Sequence, residues 1–271
     1  MDNLQDHLNK NPELEKKLKD MAIGKEEIDF IEDINLPNVS ILMPTYNRRH
    51  FLPLIMVNLH NMDYPKNKLE LVIYDDHISP LFINNEEVKI FESKCGIKTN
   101  YIYNNLRHLT IGEKRNKLVK LSKYKILINM DDDDIYFPQY IKYSIHMLKH
   151  YKAGIVGSPE MLFTYPHYDF ITTGIKCSSK RQIHEATFCF TKGHWKSMGG
   201  FMKKGVGEGA KMVDFNEKNC IKSDIINCMC CVAHKENTVD KEIFKDKNKD
   251  WIDLVIPDIY QELLKDILDL P

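Results

Sequence analysis

The chain has 271 residues, 43% of them hydrophobic and 28% charged, with a formal charge of −1. That length holds one large domain or two small ones, and the near-neutral charge gives no basic field for a nucleic-acid partner. No apolar run approaches the ~20 residues that span a bilayer, and Met1-Asp-Asn-Leu-Gln-Asp lacks the basic and apolar regions of a signal peptide. Seven scattered cysteines, an odd number in a large chain, add the expectation of reduced thiols and a cytoplasmic setting. Arginine is scarce: only Arg48, Arg49, Arg107, Arg115 and Arg181 stand among 38 basic residues. Together with abundant Asn and Ile, that bias points to an AT-rich genome, and it makes each arginine worth following.

Residues 1–36 are rich in Glu, Lys and Asp, with Leu4, Leu8, Leu14, Leu18, Met21 and Ile28 at roughly helical spacing. This predicts an amphipathic extension docked on the main body or on a second subunit. After Pro37, Val39-Ser-Ile-Leu-Met43 reads as a short buried strand that runs into the loop Pro44-Thr-Tyr-Asn47. A helix around His50–Asn61 and a strand over Leu69–Tyr74, tipped by Asp75 and Asp76, come next. A helix near 85–94, a strand near 100–103 and a helix near 112–123 lead to the apolar run Tyr124-Lys-Ile-Leu-Ile-Asn-Met130.

That run ends in four consecutive aspartates, Asp131 to Asp134, followed by Pro138 and a helical stretch over Gln139–His150. Carboxylates about 4 Å apart repel by roughly 1 kcal/mol in water and roughly 4 at an effective dielectric near 20. A solvated acidic turn is one reading. A divalent cation would remove the penalty, and oxygen ligands suit Mg²⁺ or Mn²⁺. Strands alternating with helices predict a doubly wound, mostly parallel α/β sheet. Thr45, Asp75, Asp76 and the aspartates then share the carboxyl edge, where such sheets bind ligands.

The second half is less regular, with short strands near 155–156, 170–172, 187–190 and 225–233. Cys228-Met-Cys-Cys231 lacks zinc-site spacing and, among Ile225, Ile226 and Val232, reads as a core strand. Pro257 opens a terminal amphipathic helix through Tyr260, Leu263, Leu264 and Ile267. Other motifs fail: Tyr136 stands where an EF-hand needs Gly, and no Gly-Lys-Ser/Thr of a Walker A loop occurs. Protein kinase signatures are absent too, and a two-metal nuclease would present a basic track.

Several segments together resemble a family 2-type glycosyltransferase of the GT-A fold, from about Val39 to about Thr238. They are Val39-Ser-Ile-Leu-Met-Pro-Thr-Tyr-Asn-Arg48, Leu71-Val-Ile-Tyr-Asp-Asp76, Ile111-Gly-Glu-Lys-Arg-Asn116, Asn129-Met-Asp-Asp-Asp-Asp-Ile-Tyr-Phe-Pro138 and Trp195-Lys-Ser-Met-Gly-Gly-Phe201. The resemblance implies an extension over 1–36, a catalytic domain over 37–256 and a terminal helix over 257–271. Within that domain, 37–138 would bind nucleotide and 139–256 the acceptor.

It implies a UDP-sugar donor, Mn²⁺ or Mg²⁺, inversion, and an acceptor hydroxyl on a glycan or protein side chain. Pro44, Thr45, Tyr46, Asn47, Asp75 or Asp76, Gly112 and Arg115 would hold the nucleoside. Asp131 would serve the ribose or a metal-bound water, with Asp132 at the variable position beside it. Asp133 would bind the metal, with Asp134 trailing and His234 completing the coordination. The family commonly carries a Glu-Asp pair beyond Gly-Gly-Phe; here the nearest acids are Glu208, flanked by glycines, and Asp214. Glu208 is preferred as the base, since glycines allow close approach to a substrate. His77-Ile78-Ser79 replaces the usual Gly-Ser after the second strand, so either Asp75 or Asp76 could face the base. A nucleotidyltransferase and a non-catalytic binding scaffold remain alternatives, and the helical ends suggest a homodimer.

Overall fold

The computed structural model describes residues 35–176, 183–213, 219–246 and 254–270. Nearly all of the expected N-terminal extension lies outside them, as do Asp214 and Cys177. Strand β1 (Val39–Thr45) is buried along its whole length. It lies at the heart of a seven-stranded sheet between β2 (Leu69–Asp75) and β4 (Ile126–Asn129), with β3 (Lys98–Tyr103) beyond β2. These four strands are parallel. Their helices α1 (Leu52–Asn61), α2 (Asn85–Cys95) and α3 (Ile111–Leu121) cover the sheet, which is why β1 reads as a continuous apolar run rather than an alternating one.

Local sequence fixes the helix ends. Asn84 caps α2 by accepting from the Glu86 and Glu87 amides, and Gly96 ends it in the left-handed region at φ 74°. Thr110 and Glu113 form a reciprocal capping box at the start of α3. The register sets Thr45 beside Asp75 and Leu42 beside Asn129, so the polar strand ends share one edge as expected.

The second half is more ordered than its sequence suggests. After β5 (Ile135–Tyr136) and helix α4 (Tyr140–His150) come β6 (Ile155–Gly157), β7 (Glu160–Tyr165), β8 (Ile171–Lys176) and β9 (Cys189–Thr191). Helix α5 (Lys192–Ser197), β10 (Cys220–Lys222), β11 (Met229–Val232) and helix α6 (Asp258–Leu268) complete the described elements. Strand β9 runs antiparallel between β4 and β6, and β10 adds parallel to β6. A second, four-stranded sheet has the order β5, β11, β7, β8. Its strand β11 is buried throughout, as expected of the Cys228–Cys231 run.

The aspartate run is thus the crossing point between the two sheets, with β4 on one side of it and β5 on the other. The apolar stripe of α6 buries Tyr260 and Leu264 and packs on α1, while its Leu263 and Ile267 are half-buried. Among the described residues no helix is long and apolar enough to cross a membrane.

Candidate active site

Each aspartate of the run reaches a different segment. Asp131 accepts from Arg115 Nη2 on α3 at 3.0 Å. Asp132 lies 3.7 Å from Arg48 Nε, just beyond β1. Asp133 Oδ2 sits 3.0 Å from His234 Nε2 and 3.3 Å from Arg48 Nη2. Asp134 Oδ1 accepts from the Val232 amide at 2.9 Å and Lys241 Nζ at 3.1 Å. Buried Asn58 of α1 braces the turn, donating to the Asp134 carbonyl at 2.8 Å and accepting from the Tyr136 amide at 3.1 Å.

The electrostatics follow from burial and these partners. Burial and the neighbouring Asp133 charge push the Asp132 carboxyl well above its ordinary value. Burial acts the same way on Asp133, but the His234 hydrogen bond and the Lys241 and Arg48 charges overcome it and hold that carboxyl below the usual range. Asp134 is pushed up to about 6 by burial, against the pull of Lys241.

Arg115 joins this run to the loop that carries Glu208. It is 2% exposed, and its Nε donates to Glu208 Oε1 at 2.9 Å while Nη2 serves Asp131. Burial opposes its charge, and the two carboxylates outweigh burial, so the guanidinium pKa is raised. Arg115, Asp131, Asp133, Asp134 and Glu208 line one cavity of about 360 Å³, walled by Met161, Phe163 and Ile175 of the second sheet.

Gly112 has a packing reason. A Cβ there would stand 1.8 Å from the Met202 carbonyl oxygen and 2.9 Å from Glu208 Cβ, so glycine lets the 202–208 loop lie against α3. Gly112→Ala is therefore expected to cost roughly 1–3 kcal/mol, read as a lower urea midpoint; a wild-type midpoint would refute this packing role.

The other nucleotide-side candidates form a neighbouring patch that does not line the cavity. Tyr46 packs its ring against His77 and His108 at 4.6 and 4.3 Å. Asn47 takes the left-handed conformation, φ 57°, which asparagine tolerates. Pro44 and Thr45 end β1, and Lys114 Nζ bonds the Thr45 carbonyl at 2.9 Å and lies 5.0 Å from the Tyr46 ring. Asp75 accepts from the Leu81 and His77 amides and from Tyr101, which turns it into its own loop. Asp76 pairs with Lys114 and accepts from the Leu109 amide at 2.7 Å, so it is the acid beside the aromatic patch.

The family model described as "Glycosyl transferase family 2" matches residues 40–191, more than half of the chain. The chain belongs to that family. Its fold is shared by the mannosyltransferase PcManGT from Pyrobaculum calidifontis in complex with GDP-Man and Mn²⁺, at 17% identity and TM-score 0.57, over 92% of this chain and 74% of that one. S. aureus TarS 1–349 in complex with UDP-GlcNAc is similar at 13% identity and TM-score 0.53, over 85% of this chain and 65% of that one. No curated protein matches the chain.

The GT-A fold of this glycosyltransferase implies a metal, and the donor set can be tested for fit. Six carboxylates, Asp131 to Asp134, Glu208 and Glu236, share the three cations Arg48, Arg115 and Lys241. A divalent ion would relieve that excess. The 3.0 Å between Asp133 Oδ2 and His234 Nε2 is the separation of adjacent ligands bound at about 2.1 Å. All three aspartates already accept hydrogen bonds, Asp131 from Arg115, Asp134 from Lys241 and Val232, and Asp133 from His234, Arg48 and Asn237, so a bound ion would take the place of donors at Asp133. Among the described residues no three His, Cys, Asp or Glu side chains already converge on one point. Asp133 with His234 fits a metal, and the full four-residue set does not close around one.

Sequence reasoning missed the contacts of Arg48 and Lys241. The scarcity of arginine was the one signal that could have found Arg48; Lys241 carries no local mark.

Proposed function

We propose that this glycosyltransferase moves a sugar from a nucleotide-sugar, a UDP-sugar by preference, to an acceptor hydroxyl on a glycan or protein, with inversion. The observation that carries this is the convergence of the aspartate run, Arg115 and Glu208 on one cavity at the carboxyl edge of the sheet. The GDP-Man and UDP-GlcNAc complexes of the structural neighbours support a nucleotide-sugar donor. Thr45, Tyr46 and Asp76 would hold the nucleoside, Asp75 would fix the adjoining loop, and Arg115 would fix Asp131 toward the ribose.

Mn²⁺ or Mg²⁺ held by Asp133 and His234, with donor oxygens and water filling its shell, would supply charge neutralisation of the departing diphosphate. A carboxylate on the cavity wall takes the acceptor proton; Glu208 and Glu185 both stand there. All six cysteines among the described residues are free, which supports a reducing, cytoplasmic setting.

Screening UDP- and GDP-sugars for metal-dependent release of the nucleoside diphosphate tests the reading. Pyrophosphate formed from a sugar phosphate would mark a nucleotidyltransferase instead, and donor binding without turnover would mark a scaffold. A homodimer held partly by the terminal segments, residues 1–36 and 257–271, is the proposed assembly, with Tyr260 and Leu264 of α6 already buried within the chain. Light scattering at micromolar concentration on the full chain and on a truncated 37–271 chain decides it, a monomeric mass for the full chain removing the dimer.

A further inference from the structure

We propose that Glu185 is the catalytic base of the transfer, its carboxylate standing in the space that a side chain at residue 209 would fill. The inference rests on the transfer reading above and assigns a residue within it. Glu185 opens the short 3₁₀ turn Glu185–Thr187 ahead of β9, and it lines the same cavity as Asp131, Asp133 and Glu208. A Cβ built on Gly209 would meet Glu185 Cγ at 2.5 Å, Phe188 Cε2 at 2.7 Å and Glu185 Oε1 at 3.0 Å. Gly209 is not among the positive-φ residues, so its backbone does not demand glycine. Space for the Glu185 carboxylate, hard against Phe188, does. The Gly209 amide then donates to Glu185 Oε1 at 3.0 Å and aims it.

The two cavity glutamates are held differently. Glu208 has Oε1 committed to the buried Arg115, which also binds Asp131. Removing its charge would leave that buried arginine with Asp131 alone, so Glu208 acts as a clamp on Arg115. Glu185 has no ion pair among the described residues, and its carboxylate is held by backbone amides, its own and that of Gly209. Burial, helped by the nearby Glu208 charge, raises its pKa against the opposing pull of those two amides and Arg115. A carboxylate without an ion-pair partner is available to take the proton of an acceptor hydroxyl.

In the step itself, the acceptor oxygen bonds to the anomeric carbon and its proton passes to a Glu185 oxygen. The bond from that carbon to the diphosphate oxygen breaks, and its electron pair leaves with the nucleoside diphosphate. Protonated Glu185 then returns its proton to water in the cavity.

The test uses the full chain with the nucleotide-sugar that the wild type turns over, following nucleoside diphosphate release. Glu185→Gln is expected to lower kcat by about 10²-fold or more, with unchanged UDP affinity by calorimetry in Mn²⁺. A second variant guards against misfolding: Glu185→Asp keeps a carboxylate, needs no room beyond that of the wild-type side chain, and is expected to recover rate over Glu185→Gln. Wild-type kcat in Glu185→Gln overturns the assignment alone, as does a loss of UDP affinity that matches the loss of kcat. A wild-type chain that turns over no nucleotide-sugar sinks the transfer reading, and the assignment with it.

Discussion

Asp133→Asn is expected to leave a folded protein whose UDP affinity no longer rises when Mn²⁺ is added. Three donors, His234, Arg48 and Asn237, converge on Asp133 Oδ2, which fixes that carboxylate in the cavity wall. The amide keeps the shape and loses the charge. Losing even an outer partner of a metal ligand costs roughly 10–100-fold in metal affinity, so loss of the ligand itself should cost at least that. Calorimetry with UDP, with and without Mn²⁺, reads it directly. Wild-type, metal-dependent affinity in the variant would remove Asp133 from the metal site.

Arg115→Met should be the most destabilising single change at the site. It withdraws the cation from between Glu208, whose side chain is 6% exposed, and Asp131, whose side chain is 25% exposed. Breaking a buried pair by deleting one partner costs about 3–5 kcal/mol. The partial exposure of Asp131 places the loss near the low end of that range. For a domain of this size a loss near 3 kcal/mol lowers Tm by roughly 6–12 °C. Arg115→Lys keeps the charge but cannot span both carboxylates with one planar fork, so it should fall between the two. A melting temperature for Arg115→Met within error of wild type would show that Glu208 and Asp131 need no such bridge.

The first half of the fold was legible because its signals are local. Apolar runs over Val39–Met43 and Leu69–Tyr74 end in polar residues, and Thr110 and Glu113 announce α3 within four positions. The four aspartates were legible for the same reason. What the sequence hid is set by distance along the chain. Strand β9 inserts between β4 and β6, and no three-residue strand advertises a partner more than 60 residues upstream. Strand β7 was missed, although Met161, Leu162 and Phe163 are buried apolar residues, because no alternation set them apart. The site contacts show the same pattern: Arg48 meets Asp133 across 85 positions, Arg115 meets Glu208 across 93, and Lys241 meets Asp134 across 107. Sequence spacing could pick Glu208 as a cavity acid but could not see the arginine that holds it. Nor could it see that Gly209 leaves room for a glutamate 24 positions earlier.

Asp131 to Asp134 tie down helix α3, the loop after β1, the segment at His234 and the strand β11 with Lys241. Successive residues of one short turn share a backbone, so a displacement at one carboxylate is passed to its neighbours through covalent geometry rather than through a chain of packed side chains. The energetic effects of substitutions at Arg48, Arg115 and Lys241 therefore do not add, although these residues lie far apart in the chain. The loop after β1 and the cavity wall at Lys241 are, in mechanical terms, two ends of the same four-residue bracket.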